Sequence, residues 1–222
     1  MSVYGNVKSQ ERHSHAASSR TDIFSREDKQ RAADMLARHL QWEKNPGDNM
    51  VSWTASLLFA LVYIFLRASI HNEATLDEIQ LLVVDTSSFP KGVFMRDLDL
   101  TSDFSSIDRN LQNHKRLRSK QTSGLYYDFG EYLSQGALKI DGRCQIVSAR
   151  SIINRGLCDI RLEFKEFSNW KQGPEFARWA SAVLEMREVF YCDDTERQGI
   201  SEKGMLAALR ISSQLDLISE CP

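Results

Sequence analysis

Four groups of side chains in this chain have the chemistry to bind or react. They are a His13-x-His15 pair, an acidic run at Asp97, Asp99 and Asp103, a cationic run over Arg109–Lys120, and four cysteines. Such residues ligate metals, grip phosphates or attack electrophiles, and spacing decides among those uses. Cys144, Cys158, Cys192 and Cys221 show no Cys-x-x-Cys spacing and read as free, reduced thiols. No cysteine or carboxylate pair near His13 and His15 completes a ligand set, so no metal is expected. Arg109–Lys120 has no interleaved aromatics and the net charge is −2, so that run reads as a solvated helix or loop. Nucleic acid is accordingly not an expected partner. Gly-x-Ser-x-Gly, the P-loop, Gly-x-Gly-x-x-Gly and His-Glu-x-x-His are all missing. No histidine stands near a serine or cysteine in a recognisable nucleophile context.

Two stretches position most of what remains. Met50–Leu66 carries no charge and is apolar almost all round from Leu57. It predicts a strand end at Asn49–Ser52 and a helix over Ala55–Arg67. Thr54 and Ser56 are its candidate N-caps, because a short hydroxyl accepts from an otherwise unpaired helix N–H. Leu57, Leu58, Leu61, Val62, Phe65 and Leu66 form the core-facing stripe, with Phe59, Tyr63 and Ile64 on the other side. A membrane span needs about 20 apolar residues. This run is shorter, so it reads as a buried core helix and no membrane partner is expected.

Leu125–Ile140 is the second stretch. Tyr126, Tyr127 and Phe129 favour strand, and Gly130 and Gly136 bracket Glu131–Gln135. Glu131 on its own reads as a surface carboxylate beside a turn. Ala137–Ile140 and Cys144–Val147 predict a hairpin over Asp141-Gly142.

The other elements follow from periodicity and breakers. Ser25–Glu43 predicts a helix capped by Ser25 and stopped by Asn45-Pro46-Gly47. Ile79–Asp85 predicts a strand buried on both faces, with Asp85 capping its end, and Leu98–Asp108 an irregular acidic segment. Ser148–Arg155, Pro174–Phe190 and Glu202–Ile218 predict helices, the last amphipathic. The organisation expected is a polar tail over 1–20, one domain over 21–190, and a loop with a helix over 191–222. No apolar signal segment follows Met1, which predicts an intracellular protein, cytoplasmic or nuclear.

Three motifs carry a resemblance. SWTASLLFA begins at Ser52, VDTSSFPKGVF at Val84 and FGEYLSQGALKI at Phe129. With them the chain from Ile23 to Trp179 resembles a family of uncharacterised fungal proteins of unknown function. The order of elements is also similar to ADP-ribosyltransferases with an Arg–Ser–Glu signature. That resemblance implies an α+β fold with small antiparallel sheets packed around a central buried helix.

It also implies NAD as cofactor, with Glu131 as the catalytic carboxylate that stabilises positive charge developing on the ribose. Ser52 and Thr54 would orient Glu131 and the cofactor, Tyr126 or Tyr127 would stack on nicotinamide, and Gly136 would let the chain turn close to the ligand. Two departures are visible. Met1–Val7 offers no first-strand arginine, and Phe129 stands where enzymes modifying Arg or Asn often carry Glu or Gln. The resulting expectation is a degenerate transferase scaffold acting as a protein-interaction module. The alternative is an NAD-dependent mono-ADP-ribosyltransferase using Glu131 with Ser52 and Thr54.

Overall fold

A computed structural model describes residues 13–14, 22–25, 27–43, 48–69, 74–119, 127–167, 179–191 and 201–214. It is a mixed α+β chain whose sheets, among the described residues, are small and antiparallel. The chain divides into two compact units. One is built from residues up to Ser56 together with Asp85–Arg143, the other mainly from Leu57–Val84 and Cys144–Pro222.

The first unit carries β1 (His13–Ser14), α1 (Lys29–Leu40), β2 (Met50–Thr54), β4 (Met95–Arg96), α3 (Asp97–Phe104), α4 (Arg109–Ser119), β5 (Glu131–Gln135) and β6 (Leu138–Lys139). Its main sheet has the order β2-β5-β4, and β1 pairs with β6. Opposite β2, Ser52 faces Leu133 and Thr54 faces Glu131. Paired residues project to the same side, so Met50, Ser52, Thr54, Glu131 and Leu133 share one face of the sheet. Helices cover that face: Ala33, Leu36 and Ala37 of α1, Leu100 of α3 and Leu111 of α4 pack with Met50 and Leu133 in one core. On the opposite face Trp53 meets the edge of Phe94 at 5.4 Å and donates through Nε1 to Ser134 Oγ at 2.8 Å.

Local chemistry explains where these elements begin. Asp28, rather than Ser25, caps α1, its Oδ1 accepting from the Arg31 N–H at 3.0 Å. The acidic segment expected to be irregular is helical from Asp97, since Asp97 and Asp99 in the first turn suit the positive helix end. Thr54 ends β2 by donating to the Phe129 carbonyl and accepting from the Ser56 N–H.

The second unit carries α2 (Leu57–Ser69), β3 (Gln80–Val84), β7 (Cys144–Ser148), α5 (Ala149–Asn154), α6 (Leu157–Ile160), α7 (Glu163–Phe167), α8 (Trp179–Tyr191) and α9 (Glu202–Ser212). Phe59 and Tyr63 of α2 both pack on the Trp179 ring of α8, at 5.2 and 5.7 Å. Phe65 packs on Phe164 and Phe167 of α7. The helix is therefore buried on the Phe59–Tyr63–Ile64 side as well, while Leu57 is exposed. No described helix is long and apolar enough to cross a membrane.

One strand pairing departs from expectation. The Asp141-Gly142 turn forms, with Gly142 at φ 68° and the Arg143 N–H bonded to the Ile140 carbonyl. Its flanking strands then part. β6 pairs with β1, and β7 pairs along its length with β3.

Candidate functional site

The helix-covered face of the first unit's sheet carries two polar clusters. The first surrounds Glu131. Leu111, His114 and Arg118 recur at helical spacing on α4, so the positions that bury Leu111 also turn His114 and Arg118 inward. Arg118 Nη1 pairs with Glu131 Oε2 and lies 3.3 Å from Asp97 Oδ2. His114 Nε2 stands 4.0 Å from the same Asp97 oxygen. The guanidinium also lies over the Phe129 ring, 6.0 Å from its centre. Asp97 has no exposed side-chain surface, and the Arg118 and Glu131 side chains keep 12% and 10%.

Burial pushes the Glu131 carboxyl above its usual range, and the neighbouring Asp97 adds to that rise. Arg118 and His114 pull the other way without cancelling it. The cluster is an anion–cation–anion arrangement in a largely dry setting. Charges in such a setting depend on one another for compensation.

The second cluster surrounds Ser52. His39, near the end of α1, places Nδ1 2.5 Å from Asp48 Oδ2 and Nε2 2.8 Å from Ser52 Oγ. Asp48 Oδ1 also accepts from the Met50 N–H at 2.8 Å, which fixes the carboxylate. The three residues lie within 14 positions but on different elements, and only the fold brings them together.

The other expected residues have local roles. Thr54 serves the backbone bonds described above, and neither runs to Glu131. Tyr127 is half-buried and contacts Phe129 edge-on. Tyr126 lies outside the described residues. Gly136 has φ 65°, a left-handed value that favours glycine, and its N–H extends the ladder to the Asn49 carbonyl. Arg118, His114, His39 and Asp48 were not anticipated as site residues. The one available signal was the spacing of Leu111, His114 and Arg118 within the cationic run. Among the described residues no group of three or more His, Cys, Asp or Glu could hold a metal.

Comparison of the chain with protein-family models, curated proteins and solved structures finds no match in any of the three.

Proposed function

We propose that this chain is a degenerate ADP-ribosyltransferase-like scaffold that works through protein contacts and not through NAD cleavage at Glu131. The observation that carries this reading is the Glu131–Arg118–Asp97 cluster. A carboxylate that serves a ribosyl cation must be ionised and face the sugar. Glu131 is buried and paired with a helix-borne arginine, and burial pushes its carboxyl above the usual range. Ser52 is engaged by His39, and Thr54 by the backbone of Phe129 and Ser56. These residues do not fit the cofactor that the order of elements implies. The interaction half of the reading is supported in the second unit, where Met205, Leu206 and Leu209 leave an apolar stripe of α9 exposed.

The test is titration of the full chain with NAD by calorimetry and by thermal unfolding. The expected result is no heat and no shift at millimolar NAD. Saturable binding with nicotinamide release that disappears in Glu131→Ala would overturn the reading. For the contact surface, a photo-reactive residue at position 206 is expected to give a discrete adduct in cells, whereas one at exposed Lys91 gives none.

A further inference from the structure

We infer that Ser52, His39 and Asp48 form a nucleophilic site that takes acyl groups from small esters. The inference does not use the Glu131–Arg118–Asp97 cluster that carries the reading above, and NAD titration and Ser52 labelling are separate readouts, so either can fail without the other. Asp48, as a carboxylate, only accepts hydrogen bonds, so His39 Nδ1 carries the proton between them. In the neutral ring Nε2 then accepts from the Ser52 hydroxyl, and the 2.8 Å separation suits that bond. This is the division of labour that activates a serine: a base on the hydroxyl and a fixed carboxylate orienting the base. Asp48 is a positioning residue, itself held by the Met50 N–H.

The strand supplies a second element. The Asn49 and Ala55 backbones bond across to Gly136 and Gly130, so the odd-numbered residues of β2 make the ladder with β5. Ser52 is even-numbered, and among the described residues β2 is an outer strand of its sheet. Its backbone N–H therefore turns away from β5 toward the edge of the sheet, where it can donate to an oxyanion. The Ser52 side is not sealed: Ser52 is half-buried, and the His39 and Asp48 side chains keep 11% and 17% of their surface.

The reaction balances without a co-reactant other than water. Ser52 Oγ attacks the ester carbonyl carbon while its proton passes to His39 Nε2. The carbon–alkoxy bond breaks, and the alcohol leaves with that proton. Water then attacks the acyl-serine by the same relay, releasing the carboxylic acid and restoring Ser52.

The test uses the full chain and a fluorophosphonate probe, which forms an Oγ–P bond as the P–F bond breaks and fluoride leaves. One adduct is expected by intact mass, mapped to Ser52 and absent in Ser52→Ala. His39→Gln is expected to slow labelling at least about 100-fold, within the range usual for a positioned base. Asp48→Asn keeps an acceptor for the Met50 N–H, yet is expected to abolish the low-field Nδ1–H proton resonance of His39 and slow labelling. Ser52→Cys guards against a folding defect. Its thiol is expected to alkylate faster than Cys144 or Cys158, an advantage lost in the Ser52→Cys/His39→Gln pair. Labelling of Ser52 no faster than that of exposed Ser87, or unchanged by His39→Gln, would overturn the inference. The three residues would then be a hydrogen-bonded tie between α1 and β2.

Discussion

Replacing Arg118 by alanine tests most directly how the sheet unit is held together. The substitution removes the cation between Glu131 and Asp97 and leaves both carboxylates buried, Asp97 completely. Breaking a buried pair by deleting one partner costs about 3–5 kcal/mol, because the remaining charge has lost its compensation. The lost contact with Phe129 adds a smaller amount. Protonation limits the penalty. Burial already raises the Glu131 carboxyl, and loss of Arg118 raises it further. The variant's folded state therefore binds a proton that its unfolded state releases, so its stability rises as the pH is lowered. The cost relative to wild type is expected to be greatest near neutral pH and to shrink on acidification.

Urea unfolding followed through the Trp53 environment, with an independent far-ultraviolet signal, measures this. With m in the range of about 1–3 kcal/mol/M, the midpoint is expected to fall by roughly 1–5 M. Glu131→Gln in the Arg118→Ala background is expected to recover part of the loss. A cost below about 1 kcal/mol that does not change with pH is the size of an exposed pair, and would refute the buried-cluster argument.

Further substitutions probe other levels of the structure. Glu131→Gln removes the raised carboxyl. From about pH 4.5, the ordinary value, upward, the wild type is expected to lose stability relative to this variant, read as a falling difference in unfolding midpoint. Ser134→Ala leaves the buried Trp53 Nε1–H without its acceptor and is expected to cost about 1–3 kcal/mol in chemical denaturation. Phe59→Ala, in the second unit, opens a void beside Tyr63 and Trp179 and is expected to cost about 3–5 kcal/mol, with changed Trp179 emission. Gly204→Ala places a Cβ 2.9 Å from the Asp159 carbonyl and is expected to loosen α9 from α6, seen as faster amide exchange in both helices.

Elements with strong local signals were legible in the sequence. The apolar run produced α2, the β-branched run β3, and the helix expected over Ser148–Arg155 forms as α5, where Ser148 is the cap and accepts from the Ser151 N–H. Pairing partners were less so. A turn signal at Asp141-Gly142 is local, whereas the choice of β1 for β6 and β3 for β7 depends on distant segments. The cationic run misled for a related reason. Average composition said solvated, yet two of its members lie on the side that buries Leu111. Inward charge became tolerable only because Asp97 and Glu131 come from other elements. His39 and Ser52 were equally opaque, since no spacing rule links a helix end to an outer strand.

The placement of both clusters on one sheet face gives that face a physical logic. A layer of helices over a small sheet can slide unless something other than apolar contact sets the register, and apolar contact is non-directional. Ser52 bonds to α1 through His39, and Glu131 bonds to α4 through Arg118, with Asp97 bringing in α3. Ser52 and Glu131 are diagonal neighbours across β2 and β5, a relation of about 7–8 Å, with Leu133 opposite Ser52 in the apolar core. Each covering helix is thus tied to the sheet or to its neighbour by directional polar contacts. The two ties differ in one respect. The Glu131 tie is charged and largely sealed, so its replacement by apolar groups of similar shape would preserve the fold. The Ser52 tie leaves a half-buried hydroxyl beside a base at the sheet's outer strand, a position where register alone needs neither the base nor the carboxylate behind it.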